Sequence, residues 1–383
     1  MPRGRAGRRG RRRRADADRS GARGGGGLND LRAQFPVLER VAYLNAGTDG
    51  PLPTPAVEAA RAELAAELAE GRTRAHFERR FELQAALRGG YAHVLGCLPE
   101  DVALTTSTSE GLGKVLAGMD LGPGDEIVTS DSEHPGMLGP LRAARELGVD
   151  VRMVPFAQLA DAVRGTTTLV ACSHVNWRTG ELAPAELAET GVPVVLDGAQ
   201  GAGAVAVDVG ALRCAAYAGS GQKWLCGADG TGMLYVERGF AERLRVTTPS
   251  YISFADASQG IDGPLRTDAA RFDTSSLARE TVALSLAALD VLQRASLTAI
   301  HEYARALAGR LADALAEGGR VVAPRSDTTL VSWEDPDPAA TRARLAESGV
   351  VVRDLPGTPY LRASTGAWND ETDLERLLDS LGA

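Results

Sequence analysis

Residues 216–236 read AYAGSGQKWLCGADGTGMLYV. A short apolar run, 214–218, enters a Gly/Ser turn. Lys223 follows beside Trp224, and a second apolar run, 233–236, leaves after another glycine-rich turn. Of the 42 basic residues only Lys114 and Lys223 are lysines. Where a charge alone suffices, this chain uses arginine. A lysine amine, unlike a guanidinium, can lose its proton when partly desolvated and form a Schiff base. A surface lysine in a hairpin is the plainer alternative, and the rest of the chain has to separate the two.

The 383 residues suit two domains, and 44% hydrophobic with 24% charged residues is ordinary for a globular protein. No apolar run approaches the ~18 residues of a membrane helix. Cys97, Cys172, Cys214 and Cys226 are scattered, without metal-ligand spacing. They read as reduced, mostly buried cysteines of a cytoplasmic protein, and no metal site is expected. Residues 1–23 carry ten arginines against Asp16 and Asp18, whereas the whole chain has a net charge of −8. The body is therefore acidic, which argues against nucleic acid as a partner. Residues 1–27 have almost nothing to bury and are expected to be a disordered Arg/Gly-rich tail.

Order is expected from Leu28, with a short amphipathic entry and then a Gly/Pro-rich loop, YLNAGTDGPLPTP. Thr54 reads as the cap of a helix with Pro55 at its first position. A second helix over 75–95 carries Phe77, Phe81, Leu87 and Tyr91. From 101 to 236 short apolar runs alternate with helix-like segments. Strands are predicted at 102–105, 126–130, 150–154, 168–173, 193–197, 214–218 and 232–236. Helices are predicted at 109–119, 135–147, 157–163 and 184–190. The alternation predicts an α/β fold with a mostly parallel seven-stranded sheet between helices. Residues 247–277 are irregular. Helices at 278–294 and 298–317 lead into a smaller α/β unit with strands at 328–333, near 349–353 and at 359–363, and helices at 337–348 and 370–381.

Ligands of such sheets sit beyond the carboxyl ends of the strands, where the polar clusters fall. TSTSEG opens a helix, so Thr108 and Ser109 would offer hydroxyls and N–H groups to an anion. Asp197 ends a very apolar strand, where a carboxylate is expensive without a cationic partner such as a pyridinium N–H. Gln200 can donate to a phenolate oxygen. His134 can stack on a flat ring, or simply start a helix. Arg362, between Leu361 and Ala363, suits capture of a carboxylate. Together these parts describe a site for pyridoxal 5′-phosphate.

The chain resembles the class V, fold-type I aminotransferase and cysteine desulfurase superfamily from about Tyr43 to Leu381. DGAQ, SGQKWLCGADGTGMLYV and LRASTGAWNDETDLERLL carry the resemblance. It implies an entry segment, 28–45, packed on the small domain, a large cofactor-binding domain, 46–280, and a small C-terminal domain, 281–383. It implies that Lys223 carries the Schiff base and shuttles the α-proton, with His134 stacked on the ring. Asp197 keeps the ring nitrogen protonated, and Gln200 contacts the phenolate oxygen. Thr108, Ser109, Ser220 and Gln222 hold the phosphate, with Ser276 reaching the partner's phosphate in a homodimer with shared sites. Asn176 lies where relatives place an Asn over the cofactor, although Trp177 takes that position in the closest alignment. Arg362, with Asn45, binds the substrate carboxylate. Desulfurases carry a cysteine shortly before that arginine, and VVVRDLPGTPYLRAS has none. YLNAGTDGPLP, SHVNWRTGELAP and GQKWLCGADGTG look most like cysteine/cystine C–S lyases and the ergothioneine-pathway lyase branch. A β-eliminating C–S lyase acting on a cysteine-derived amino acid is expected, with an aminotransferase or epimerase as the alternative and a non-catalytic binding module as a second.

Overall fold

The computed structural model describes residues 27–382; the tail expected at 1–27 lies outside them apart from Gly27. The chain enters through α1 (Leu28–Leu31), two 3-10 turns and β1 (Ala42–Tyr43). Two long helices follow, α2 (Thr54–Glu70) and α3 (Arg74–Leu95). Thr54 is not the cap expected of it: it is already helical, Pro53 precedes it, and no side chain caps this end. On α3, Leu87 and Tyr91 are buried, but Phe77 and Phe81 are exposed. The Arg80 guanidinium lies over both rings, at 5.1 and 5.4 Å.

The large sheet contains β2 (Val102–Thr105), β3 (Glu126–Ser130), β4 (Asp150–Val154), β5 (Thr167–Ser173), β6 (Val194–Asp197), β7 (Ala216–Ser220) and β8 (Gly232–Val236). Their order is β2-β8-β7-β6-β5-β3-β4, and only β8 runs antiparallel to its neighbours. Every residue of β2, β3, β6, β7 and β8 is buried. Unbroken apolar runs are what a sheet covered on both faces requires. Successive residues of β2 serve opposite sides: Val102 and Leu104 join the core with α3, whereas Ala103 joins the core with α4 (Thr108–Gly118) and α5 (Pro135–Glu146). The seven predicted strands are all present, the one at 214–218 starting two residues later. The helices expected at 157–163 and 184–190 are instead 3-10 turns, Phe156–Gln158 and Ala185–Glu189. Those stretches end at Gly165 and Gly191, leaving too few residues to repay helix nucleation.

Short helices α6 (Val209–Leu212) and α7 (Arg238–Arg243) flank β7 and β8. Residues 247–277 hold three 3-10 turns and are fastened by Asp273, whose carboxylate pairs with Arg88 at 2.6 Å and accepts from Leu104 N at 2.8 Å. α8 (Arg279–Arg294) and α9 (Leu297–Glu317) lead to the smaller unit. There β9 (Leu330–Glu334), β11 (Arg353–Asp354) and β12 (Tyr360–Ser364) form an antiparallel sheet in the order β11-β12-β9. α10 (Pro338–Glu347), β10 (Val350–Val351) and α11 (Glu371–Leu381) complete it. β1 pairs in parallel with β10, and Asn45 bridges to Ser364. The entry segment is tied further by Arg32, which donates to Asp373 at 2.7 Å, and by Phe35, whose ring centroid is 5.2 Å from that of Trp368.

Candidate active site

Thr105, Ser130, Ser173, Asp197 and Ser220 end five strands on one edge of the large sheet. Thr105 and Ser220 both register with Gly232, the first residue of β8. A Cβ on Gly232 would stand 2.8 Å from Gly219 O and Thr105 Oγ1, so only glycine lets these ends converge. The N-terminus of α4 opens beside them. Ser107 caps it, accepting from Glu110 N, which leaves Thr108 inside the first turn and not at the cap. Thr108 Oγ1, Ser220 Oγ and Gln222 Oε1 are buried and have no partner among the described residues. Buried polar atoms without partners are costly. Two hydroxyl donors at a helix N-terminus are matched to the oxygens of a phosphate. A half-turn of the Gln222 amide would present its N–H group to the same place. Ser109 is exposed on the same turn.

Asp197 is 5% exposed, and its Oδ1 accepts from Ala199 N at 2.9 Å. Burial raises its proton affinity, against the pull of Lys223. The turn after it must hug the sheet, because a Cβ on Gly198 would lie 1.9 Å from the Tyr217 ring. Gln200 is held by Trp224 Nε1, which donates to its Oε1 at 3.0 Å, while its Nε2 donates to Gly47 O at 2.7 Å. One amide hydrogen is thus left for a ligand. Lys223 sits between these groups, and its side-chain amine makes no hydrogen bond to the described residues. Burial, partly offset by Asp197, pulls its amine down to about 8.

His134 caps α5 by accepting from Gly136 N on Nδ1, which places its proton on Nε2. Burial, Lys223, Arg362 and Arg353 push it down to about 4, so it is neutral at physiological pH. Trp177 meets its ring edge-on at 5.1 Å. Arg362 is 2% exposed. Its Nη1 donates to Trp177 O at 2.7 Å, its Nε has no partner, and burial together with Arg353 lowers its pKa to about 9. Asn45 lies alongside, its Oδ1 accepting from Thr48 Oγ1 at 2.8 Å.

Lys223, Asp197, Gln200, His134, Thr108, Ser220, Gln222, Asn45 and Arg362 are therefore brought to one sheet edge. Asn176 is not offered to a ligand in the way expected of it. Its Nδ2 donates to Ser132 Oγ and its Oδ1 accepts from Arg178 N, so the amide shapes its own loop. Ser276 is exposed and joins none of the hydrogen bonds of this cluster. Arg353, which sequence reasoning missed, stands directly across from Arg362 in the β11–β12 pair. The alternation of the short strand 353–354 is too brief to have flagged it.

A family model described as aminotransferase class-V matches residues 42–377. The chain belongs to that family. One relative, isopenicillin N epimerase from Streptomyces clavuligerus, is 30% identical over 92% of this chain and 97% of its own. Among solved structures, the cystine C–S lyase C-DES in complex with its reaction product cysteine persulfide is similar with a TM-score of 0.86. It is 28% identical, covering 91% of this chain and 99% of that one. The cysteine desulfurase CsdA from Escherichia coli has a TM-score of 0.82 at 25% identity, covering 93% and 97%. The family's cofactor is pyridoxal 5′-phosphate. The three unpartnered buried atoms at the α4 terminus, the buried Asp197 and the depressed Lys223 amine fit it.

Proposed function

We propose that this chain is a pyridoxal-phosphate-dependent lyase that cleaves the C–S bond of a cysteine-derived substrate by β-elimination. The carrying observation is the state of the thiols. Burial raises Cys97 and Cys214 to about 12 and Cys172 and Cys226 well above the ordinary range. Among the described residues none is a thiolate able to attack substrate sulfur, as a mechanism that carries the persulfide on the protein needs. The likeness to the cystine lyase supports the same reading.

Thr108, Ser109, Ser220 and Gln222 would hold the phosphate, Asp197 the ring nitrogen and Gln200 the phenolate oxygen. When bound, the cofactor supplies the electron sink for the pair left at Cα. Lys223 would anchor it and, once released by substrate, take the Cα proton. The neutral His134 would stack on the ring without adding charge. Arg362 would receive the α-carboxylate on its unpartnered Nε, with Asn45 beside it. Arg353 would place a second cation at the mouth, suited to a substrate with a second carboxylate, such as cystine.

A homodimer is also proposed. Leu64, Leu68, Phe77 and Phe81 form two exposed apolar pairs on neighbouring helices, and Ser276 is exposed where a second copy could use it. The division at 45–46 and 280–281 is proposed from the two sheets. The free cysteines fit a reducing cytoplasm, and no single helix among the described residues is long and apolar enough to cross a membrane.

The epimerase relative favours one alternative, proton return at Cα without elimination. Incubating the holoenzyme with cystine and cysteine conjugates in deuterated water separates them. Pyruvate and a sulfur leaving group are expected. Deuterium at Cα with inverted configuration and no pyruvate would overturn the lyase proposal.

A further inference from the structure

Glu133 immediately precedes His134, and no role above uses it. It is 1% exposed. Its Oε1 accepts from Ser130 Oγ at 2.5 Å, and its two oxygens share Ser173 N at 3.1 and 3.0 Å. Its Oε2 also accepts from Ser173 Oγ at 2.6 Å. Ser173 is the register partner of Asp197 on β6. A line Ser130, Glu133, Ser173, Asp197 therefore crosses the ends of β3, β5 and β6. No cation lies within ion-pair distance of Glu133 among the described residues. A buried anion without a cation is poor for stability, and an amide or apolar side chain would serve packing better. Three donors favour its ionised form. Burial and the Asp197 charge oppose them and set its proton affinity at about 7. A positive charge brought beside Asp197 would tip this group towards the anion.

We propose that Glu133 is a positioning residue that supports Asp197. Its buried carboxylate deepens the negative field in which a cofactor's ring nitrogen keeps its proton, and its three bonds to strand ends fix the backbone that carries His134. The proposal rests on the cofactor assignment above.

Glu133→Gln tests it. The amide keeps the shape: with its oxygen at the Oε2 place it still accepts from Ser173 N and Ser173 Oγ, and the Ser130 hydroxyl turns to accept from its N–H group. Pyridoxal phosphate binding to apoprotein is measured by equilibrium dialysis, thermal unfolding is followed on the apoprotein, and ring-¹⁵N cofactor is examined by NMR in the holoprotein. The expected result is roughly tenfold weaker cofactor binding. The ¹⁵N resonance should move towards the unprotonated position, while the apoprotein unfolds at the wild-type temperature or above. Glu133→Asp, which restores the charge, should recover most of the binding. Wild-type affinity and an unmoved resonance in a folded Gln variant would overturn the proposal. So would an Asp variant no better than Gln. If Glu133→Gln does not fold, Ser173→Ala replaces it; that variant removes one bond and should move the same resonance, and an unmoved one overturns the proposal. A wild-type protein that binds no cofactor would sink the underlying assignment instead.

Discussion

Lys223 is one of two lysines, and the structure separates their work. Lys114 donates to Phe272 O at 2.8 Å and pairs with Glu110 at 3.0 Å, a structural clamp. Lys223 has no such partner and an amine depressed to about 8. Below that value its neutral fraction falls about tenfold per pH unit. The rate at which apoprotein takes up pyridoxal phosphate should therefore climb about tenfold per unit towards pH 8 and level off above it. Lys223→Ala should bind the cofactor without developing the absorption band of the lysine-bound form. A flat pH profile, or an unchanged band, would contradict this assignment. Arg353 opposes Arg362 across the strand pair, and neither guanidinium has a carboxylate within 4 Å among the described residues. Arg353→Met should lower kcat/KM for cystine by about tenfold and for S-methylcysteine by less than about twofold. Equal losses on both substrates would remove Arg353 from recognition of the second carboxylate.

The strands and the polar groups at their ends were legible because a doubly covered sheet writes itself as unbroken apolar runs stopped by polar residues. DGAQ could be placed for that reason. Its Gly198 is demanded by the Tyr217 ring behind it, a contact between strands that no local pattern announces. Phe77 and Phe81 misled by the same logic, since helical spacing marks an apolar stripe without saying what covers it. Asn176 and Trp177 were ambiguous because the loop between β5 and the next turn has no period to set its register. At the opposite edge of the sheet, Glu126 gathers the starts of three strands. It pairs with Arg152 at 3.1 Å, with Arg164, and with Thr167 Oγ1 at 2.6 Å. These partners, Arg152 foremost, hold its carboxyl at about 2, against an ordinary value of 4.5. The folded-state value is depressed, so the stabilisation is complete above about pH 4.5 and is lost as pH falls through about 2. Glu126→Gln should cost about 1–2 kcal/mol at pH 7, allowing for solvent screening, and little below pH 2. Urea titrations of both proteins across that range check it.

The entry segment is fastened to the small C-terminal unit. Asp373 takes Arg32 from the entry segment, and also accepts from Asn369 Nδ2 at 2.9 Å and Asp370 N at 3.2 Å. Asp373→Ala strands Asp370 N, while Arg32 keeps Asp370 at 3.1 Å and Trp368 O at 2.8 Å and Asn369 Nδ2 keeps Tyr43 O at 3.1 Å; it should destabilise the fold by about 1–2 kcal/mol, read as a lower unfolding midpoint. Loss confined to the mobility of the first helix would show that this clasp is not part of the cooperative fold. The parallel pairing of Ala42–Tyr43 with Val350–Val351, and of Asn45 with Ser364, has a consequence in time. During synthesis the loop that supplies Asn45 leaves the ribosome early, whereas Arg362 and Ser364 are made roughly 320 residues later. At 5–20 residues per second the early part waits about 15–60 s for its partner strands. The cofactor edge of the large sheet can be complete while the carboxylate-binding half does not yet exist. A nascent chain would then hold a reactive lysine before it could choose a substrate, and selectivity would arrive only once strands 350–364 have been made and have paired with 42–45.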